Sequence, residues 1–380
     1  MIFKTLIPKF LKPVFRFIYY VDERKKAFRE LSIRKSQNIA IKNFDLKANK
    51  LIVFIVPGAD RATGNEKISG GIISIVSICE KSSKLFHIHE AETIMCTHTH
   101  DCLLLKHNNF DNETRVFRLE QIINSFENIE NILIHLPEYM TESFSSTITK
   151  KEKKWLESKR IHYNILNQSI ALMPSKEVIK EMRKNSVAVT ITTAHQKYCS
   201  AYFREFFNVP LHKFSTWVSP EQYYFKDWRD KENILIVSPD EHAMKDLILS
   251  KLKEIPDLTI QIIENITYEK FKKLIARAKW SITFGEGLDG YLVEPIFSGA
   301  IGFAVFNEDF FTSDFAGLST IYPSMEVLRE KIVKDISRLD NKNDYACYQK
   351  AQFDLCAKYY SQEEYKRNIS AFYRKEYTYA

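Results

Sequence analysis

The run Leu51–Val56, LIVFIV, limits what this chain can become more than any other short stretch. Every residue in it is apolar, so neither face of the strand it predicts can meet water. Such a strand belongs inside a sheet covered on both sides, the setting of a parallel α/β sheet. It stops at Pro57-Gly58, and after a loop Ser69-Gly70-Gly71 opens Ile72–Cys79 as a helix. Further strand-like runs are predicted at Leu85–His89, Asn131–Leu136, His162–Leu166 and Ser186–Ile191, with helical stretches such as Leu119–Glu127 and Lys150–Lys159 between them. Strands alternating with helices imply a parallel sheet with helices on both faces.

The polar, aromatic segment Trp217–Lys231 reads as a crossing linker, after which the rhythm restarts. Asn233–Val237, Leu258–Ile263, Trp280–Phe284 and Ile301–Val305 are predicted strands. Ala243–Lys253, Tyr268–Ala278 and Tyr291–Ser298 are predicted helices. A chain of 380 residues is long enough for two domains with a core each. We therefore expect an α/β protein of two Rossmann-like, doubly wound domains facing a cleft. The expected divisions are an extension over 1–50, a first domain over 51–219 and a second over 220–354. Ligands belong at the carboxyl ends of the strands.

Charge separates the extension from the rest. Residues 1–50 hold 13 Lys and Arg against four acids, while the other 330 hold 42 basic and 44 acidic groups. A near-neutral body argues against nucleic acid as a partner. From Pro13, apolar residues recur at Val14, Phe17, Ile18, Val21, Phe28 and Leu31, with Arg16, Arg24, Lys25 and Lys26 opposite. Two readings fit this helical spacing: an interfacial helix lying through residues 1–35 on an anionic inner leaflet, or an ordinary helix packed on the neighbouring domain. The segment lacks the clean apolar stretch of a signal peptide, no run is long enough for a transmembrane helix, and six scattered cysteines make no disulfide framework. We expect a cytoplasmic protein, peripheral on the inner face of the cytoplasmic membrane.

The chemistry concentrates in Ser281–Phe306, SITFGEGLDGYLVEPIFSGAIGFAVF. A strand, a loop bearing Gly285, Gly287 and Gly290, and a helix from Tyr291 follow one another. Backbone N–H groups at such a helix start attract phosphate. Glu286 and Glu294 stand eight positions apart, one in the loop and one a turn into the helix, where both can flank one ligand. Carboxylates accept from sugar hydroxyls and amides hold a diphosphate, so these residue types fit a nucleotide sugar.

The segment Glu286-Gly287-Leu288-Asp289-Gly290-Tyr291-Leu292-Val293-Glu294, with Phe297-Ser298-Gly299-Ala300 after it, resembles the retaining GT-B glycosyltransferases marked by E-x7-E. The resemblance runs from about Leu51 to Phe306. It implies that Glu286 contacts the transferred sugar and that Glu294 holds the nucleotide ribose. Gly287, Asp289, Gly290 and Tyr291 would join them on the donor side, as would Gly70 and Gly71 at the family's N-terminal glycine loop. His135 matches the strand-end histidine that faces the cleft, and Asn167 stands where the family has its next cleft histidine. The family's Arg and Lys-Gly after the first strand of the second domain are replaced by Ser238-Pro239-Asp240-Glu241-His242, leaving Lys245 as the nearest cation for the diphosphate. A C-terminal helix over 355–380 would cross back to the first domain. The implied reaction retains configuration and uses no metal or other cofactor.

Cys96-Thr97-His98-Thr99-His100-Asp101-Cys102 has zinc-like residue types, but alternate strand positions lie about 6–7 Å apart and four cannot converge on one ion. Two or three could meet in a turn, and local polar packing is the plainer reading. Ser69-Gly70-Gly71 is not a dinucleotide fingerprint. His135 either lines the cleft or is a strand-end histidine satisfied by its neighbours, and His195 reads as a helix-start residue. The tail aromatics Tyr359, Tyr360, Tyr365 and Tyr373 read as packing. The expected function is transfer from a nucleotide-sugar donor to a glycan or lipid-linked acceptor, in bacterial capsule, O-antigen or lipopolysaccharide synthesis. The alternatives are a non-catalytic GT-B scaffold subunit and a GT-B sugar-nucleotide epimerase.

Overall fold

The computed structural model describes residues 12–58, 70–98, 115–215, 223–264, 266 and 268–380. Its first sheet is built from β1 (Lys50–Val56), β2 (Glu92–Thr97), β3 (Val116–Arg118), β4 (Asn131–Pro137), β5 (Arg160–Asn167), β6 (Ala188–Thr193) and β7 (Leu211–Lys213). Their order is β3-β2-β1-β4-β5-β6-β7. The second sheet holds β8 (Glu232–Val237), β9 (Thr259–Ile262), β10 (Ala278–Ile282), β11 (Ile301–Val305) and β12 (Ile321–Tyr322), in the order β12-β11-β10-β8-β9. Neighbouring strands in both sheets run parallel. The doubly wound α/β expectation holds for both halves.

β1 shows why its sequence is apolar throughout. Ile52, Phe54 and Val56 face a cluster shared with Ile72, Ile75 and Cys79 of helix Gly70–Ser83. Leu51, Val53 and Ile55 face the opposite cluster, with Leu119, Ile122 and Ile123 of helix Leu119–Ser125. Strand geometry sends alternate side chains to opposite faces, so a strand covered twice must be apolar at every position.

One expected strand is a helix. Phe86–His89 forms a short helical turn, and the strand of this unit is β2, which pairs Glu92–Thr97 with Leu51–Val56. His89 explains the difference, since its ring bonds the Ser82 carbonyl at 2.9 Å and accepts the Ala91 N–H at 3.0 Å. The chain folds back on helix Gly70–Ser83 before the strand begins.

Helix Lys342–Tyr359 packs on the second sheet, where Gln352 bonds both the N–H and the carbonyl of Gly302. Helix Gln362–Tyr373 then crosses to the first sheet. There Tyr365 Oη lies 3.1 Å from Ser77 Oγ, and the Tyr373 hydroxyl donates to Ser82 Oγ at 2.6 Å. The extension forms helix Lys12–Lys42, whose far end is docked. Ile41 is buried beside Phe117, Arg118 bonds Glu30 and Gln37, and Arg34 pairs with Glu120 at 2.7 Å.

Candidate active site

In an open α/β sheet the cleft opens where strand order reverses, because neighbouring connections depart to opposite faces there. In the second sheet that point lies between β8 and β10. The loop after β8, Ser238–Asp240, meets the loop after β10, Thr283–Asp289. Ser238 Oγ accepts the Phe284 N–H at 2.9 Å, and a Cβ on Gly285 would stand only 2.8 Å from Asp240 Oδ2. Glu286 is exposed at the rim of this junction. Despite that open surface its carboxyl is pushed up to about 6, through lost hydration and the nearby Asp289 and Asp240.

Helix Gly290–Phe297 brings Glu294 back to the same loop. Its Oε2 accepts the Tyr268 hydroxyl at 2.8 Å, and Tyr268 in turn lies 3.2 Å from the Tyr223 hydroxyl. Burial raises the Glu294 carboxyl to about 8. A Cβ on Gly290 would come within 2.7 Å of Glu294 Oε1, so glycine there leaves the carboxylate its place over the helix start. Gly287 adopts φ 88°, and a Cβ on it would press on the Val305 carbonyl. The E-x7-E spacing thus brings both carboxylates to one loop.

Two donor-side expectations are corrected. The helix start is not a fully open anion site, because Asp289 caps it, its Oδ1 accepting the N–H groups of Tyr291 at 2.8 Å and Leu292 at 3.1 Å and leaving that of Gly290. Its Oδ2 accepts the Thr283 hydroxyl, and burial lifts its carboxyl to about 6. The amides of Glu286, Gly287, Leu288, Asp289 and Gly290 have no acceptor among the described residues, so most of the anion-binding capacity of this segment lies in the loop. Nor does Lys245 project as a cation into the cleft. It is buried and donates to the carbonyls of Ser238 at 3.1 Å and Asp240 at 2.8 Å, which makes it a brace for the β8 loop.

In the first sheet the order reverses between β1 and β4. Glu138 follows β4 directly, Asn167 ends β5, and His195 lies two residues past β6. Glu138 Oε1 accepts the Ser169 N–H at 3.1 Å. Burial raises its carboxyl to about 7, and Glu286 of the second sheet adds to the rise. His195 caps the turn Gln196–Tyr198, and its ring centroid lies 5.4 Å from that of Phe310. The Tyr198 hydroxyl bonds the Asp309 carbonyl, so this wall abuts the second domain. Gly70 and Gly71 begin helix Gly70–Ser83, and Gln168 donates to the Gly71 carbonyl at 3.0 Å. Ser69 lies outside the described residues. Sequence reading missed Glu138, and its one signal is its place directly after the strand NILIHLP.

His135 does not reach the cleft. Its ring is fully buried, stacks on Phe54 at 4.2 Å, and accepts from Asn164 Nδ2 at 2.9 Å. Tyr373 of the crossing helix closes the other side. Burial holds its pKa well below the usual value, so it is a neutral packing residue satisfied by its neighbours. Tyr360, Tyr365 and Phe372 of the tail are buried as well, as packing requires. Of the zinc-like stretch, Cys96 is buried in the core, while residues 99–102 lie outside the described residues. Among the described residues no group of three or more His, Cys, Asp or Glu side chains could hold a metal ion.

Two parallel doubly wound sheets, facing one another across switch-point loops and joined by a crossing C-terminal helix, define the GT-B fold. The solved structures it resembles include glycosyltransferases. The chain overlays an α-glucosyltransferase in complex with UDP at TM-score 0.52 and 10% identity, covering 85% of this chain and 99% of that one. HepE of Anabaena, in complex with UDP and glucose, gives 0.55 at 8% identity, covering 85% and 98%. Sucrose-phosphate synthase of Thermosynechococcus elongatus gives 0.56 at 10% identity, covering 86% and 99%. No protein-family model matches the sequence, and no curated protein matches it significantly. At such identities the likeness is one of fold.

Proposed function

We propose that this protein is a glycosyltransferase that moves a sugar from a nucleotide-sugar donor to a glycan or lipid-linked acceptor, with retention of configuration and without a metal. The observation that carries the reading is the convergence of Glu286 and Glu294 on one glycine loop at the switch point of a GT-B second domain. Glu294 Oε2 is held by Tyr268, an orientation suited to ribose hydroxyls. The open amides of residues 286–288 suit a diphosphate, whose developing charge they would stabilise as it leaves. UDP is the first nucleotide to test, because several solved structures of this fold hold it. The acceptor's proton would pass to the leaving phosphate oxygen.

In this reading the product is a bacterial surface polysaccharide, and the extension holds the enzyme on the inner leaflet. Phe28, Leu31 and Ile39 are exposed on helix Lys12–Lys42, beside the exposed Arg24, Lys25, Lys35 and Lys42. No described helix is long and apolar enough to cross a membrane, so any contact through this helix is interfacial.

One observation favours a second reading, a non-catalytic scaffold. Asp240, Glu286 and Asp289 crowd the place of a diphosphate, and Lys245 is spent on carbonyls. A thermal-shift screen over UDP-, GDP-, dTDP- and CMP-sugars separates the two. A shift that Glu294→Ala abolishes supports the enzyme, and turnover with the donor's anomeric configuration kept supports retention. No shift with any donor, or one indifferent to Glu294→Ala, leaves the scaffold. Flotation with anionic liposomes, full-length against a chain lacking residues 1–35, tests the membrane contact, and equal flotation ends it.

A further inference from the structure

Glu294 is 5% exposed, and two tyrosines from different segments attend its carboxylate. Tyr268, the first residue of helix Tyr268–Arg277, donates to Oε2 at 2.8 Å. Tyr223 Oη lies 3.2 Å from Tyr268 Oη and is itself hydrogen-bonded to the Glu294 carboxylate. Burial is the main influence on this carboxyl and lifts it to about 8, while the two tyrosine bonds pull it down. Lys272, on the helix of Tyr268, also favours the charged form, and Asp289 at the helix start opposes it. A lone buried carboxylate would be driven neutral, so the hydroxyls are what keep the charged form within reach.

Tyr223 belongs to neither sheet. It lies between β7, which ends at Lys213, and β8, which begins at Glu232, in the stretch whose sequence reads as a crossing linker. Its ring stacks on Phe297 with centroids 6.2 Å apart. The stretch is laced to the end of helix Gly290–Phe297 and the start of β10. The Lys226 N–H donates to the Ser298 carbonyl at 3.2 Å, and Lys231 Nζ to those of Ala278 at 3.0 Å and Ser298 at 2.9 Å. The chain between the domains therefore sets where the Tyr223 hydroxyl stands. Glu294 Oε2 is tied to Tyr268, while Oε1 lies over the helix start, 2.7 Å from where a Cβ on Gly290 would be, beside the open amides of the loop. We propose that Tyr223 and Tyr268 are positioning residues that hold the Glu294 carboxylate for the hydroxyls of a ribonucleotide's ribose, and that they thereby set a preference for ribose over deoxyribose. The proposal rests on the glycosyltransferase reading and adds the residues outside the E-x7-E loop that complete the nucleotide site. A glutamate is rotamer-rich, and one fixed beforehand loses little freedom when the ligand arrives, so the gain falls on ligands that carry those hydroxyls.

The test is calorimetry on the full chain with UDP, GDP and dTDP, and with the 2′,3′-dideoxy forms of UDP and GDP. The proteins are wild type, Tyr223→Phe, Tyr268→Phe, Glu294→Gln, and each tyrosine variant combined with Glu294→Gln, all first checked for a cooperative melt. Wild type should bind UDP or GDP at least about tenfold tighter than its dideoxy form, the loss expected for hydroxyl bonds to a charged acceptor. Each tyrosine variant should weaken that ribonucleotide about fivefold and leave the dideoxy form within about twofold, so that the discrimination shrinks. On the Glu294→Gln background the same substitutions should change affinity by less than about twofold, because they act through the carboxylate. A tyrosine that only packs would weaken both forms alike. Equal losses, unchanged discrimination, tightest binding by dTDP, or a full tyrosine effect without the glutamate overturns the proposal and leaves the glycosyltransferase reading standing. If Tyr268→Phe does not fold, Tyr223→Phe decides by the same criteria. Binding of none of the nucleotides removes the nucleotide reading and the proposal together.

Discussion

The two edges that face the cleft are built on opposite plans. On the second sheet the buried charged side chains around the β10 loop are matched within the protein, Asp289 by its helix and Thr283, Glu294 by Tyr268 and Lys245 by two carbonyls, while the backbone amides of residues 286–288 stay open. On the first sheet Glu138 Oε2, Asn167 Oδ1 and His195 Nδ1 have no hydrogen-bond partner among the described residues. A matched loop fixes its geometry before any ligand arrives, which suits a site that must hold a conserved part such as a nucleotide.

The largest effect that sharpens this contrast is a pH dependence. Glu294 titrates near 8 when folded against an ordinary 4.5. A raised folded value means stability fully present below about 4.5 and lost as pH climbs through 8, on the order of 4 kcal/mol across the window. Glu294→Gln should flatten that limb in urea unfolding between pH 5 and 9. Glu138→Gln should flatten a smaller, earlier one that ends near pH 7. Equal limbs in both variants would erase the difference between the edges.

Gly287→Ala comes next. The alanine would have to keep φ 88° and set its Cβ 2.7 Å from the Val305 carbonyl, a cost of about 3 kcal/mol that a shifted urea midpoint would show. Nucleotide binding should fall with it. Asp289→Ala removes a helix cap and should cost about 1 kcal/mol. The smallest effect runs the other way. Asn167→Leu replaces an unmatched polar atom by an apolar one of similar size, and should leave the melting temperature unchanged or raise it by the equivalent of up to about 1 kcal/mol. A clear drop would mean that Asn167 is matched in solution and that the two edges are alike.

The fold was legible because burial writes itself into hydrophobic periodicity. LIVFIV could only be a doubly covered strand, and Asn131–Pro137 and Ile301–Val305 read the same way. Leu85–His89 misled because a ring hydrogen bond from His89 to a neighbouring helix outweighed a short apolar run. In the site, the pairing of Glu286 with Glu294 was legible because both lie within one strand-loop-helix unit, where spacing fixes geometry. The fate of His135 was not, since Phe54, Asn164 and Tyr373 come to it from three distant segments.

By itself, then, the sequence determined two parallel α/β halves, their order, and the loop that carries two glutamates, because each depends on residues within one turn or strand of each other. The tertiary structure alone decided that Lys245 is a brace, that Asp289 closes the helix start, and that His135 is sealed under the crossing helix. It also decided that Glu138 is level with Asn167 at the strand ends, with His195 two residues past the end of β6. Whether a polar side chain is satisfied is settled by atoms that are near in space and far apart along the chain, and no local pattern records them.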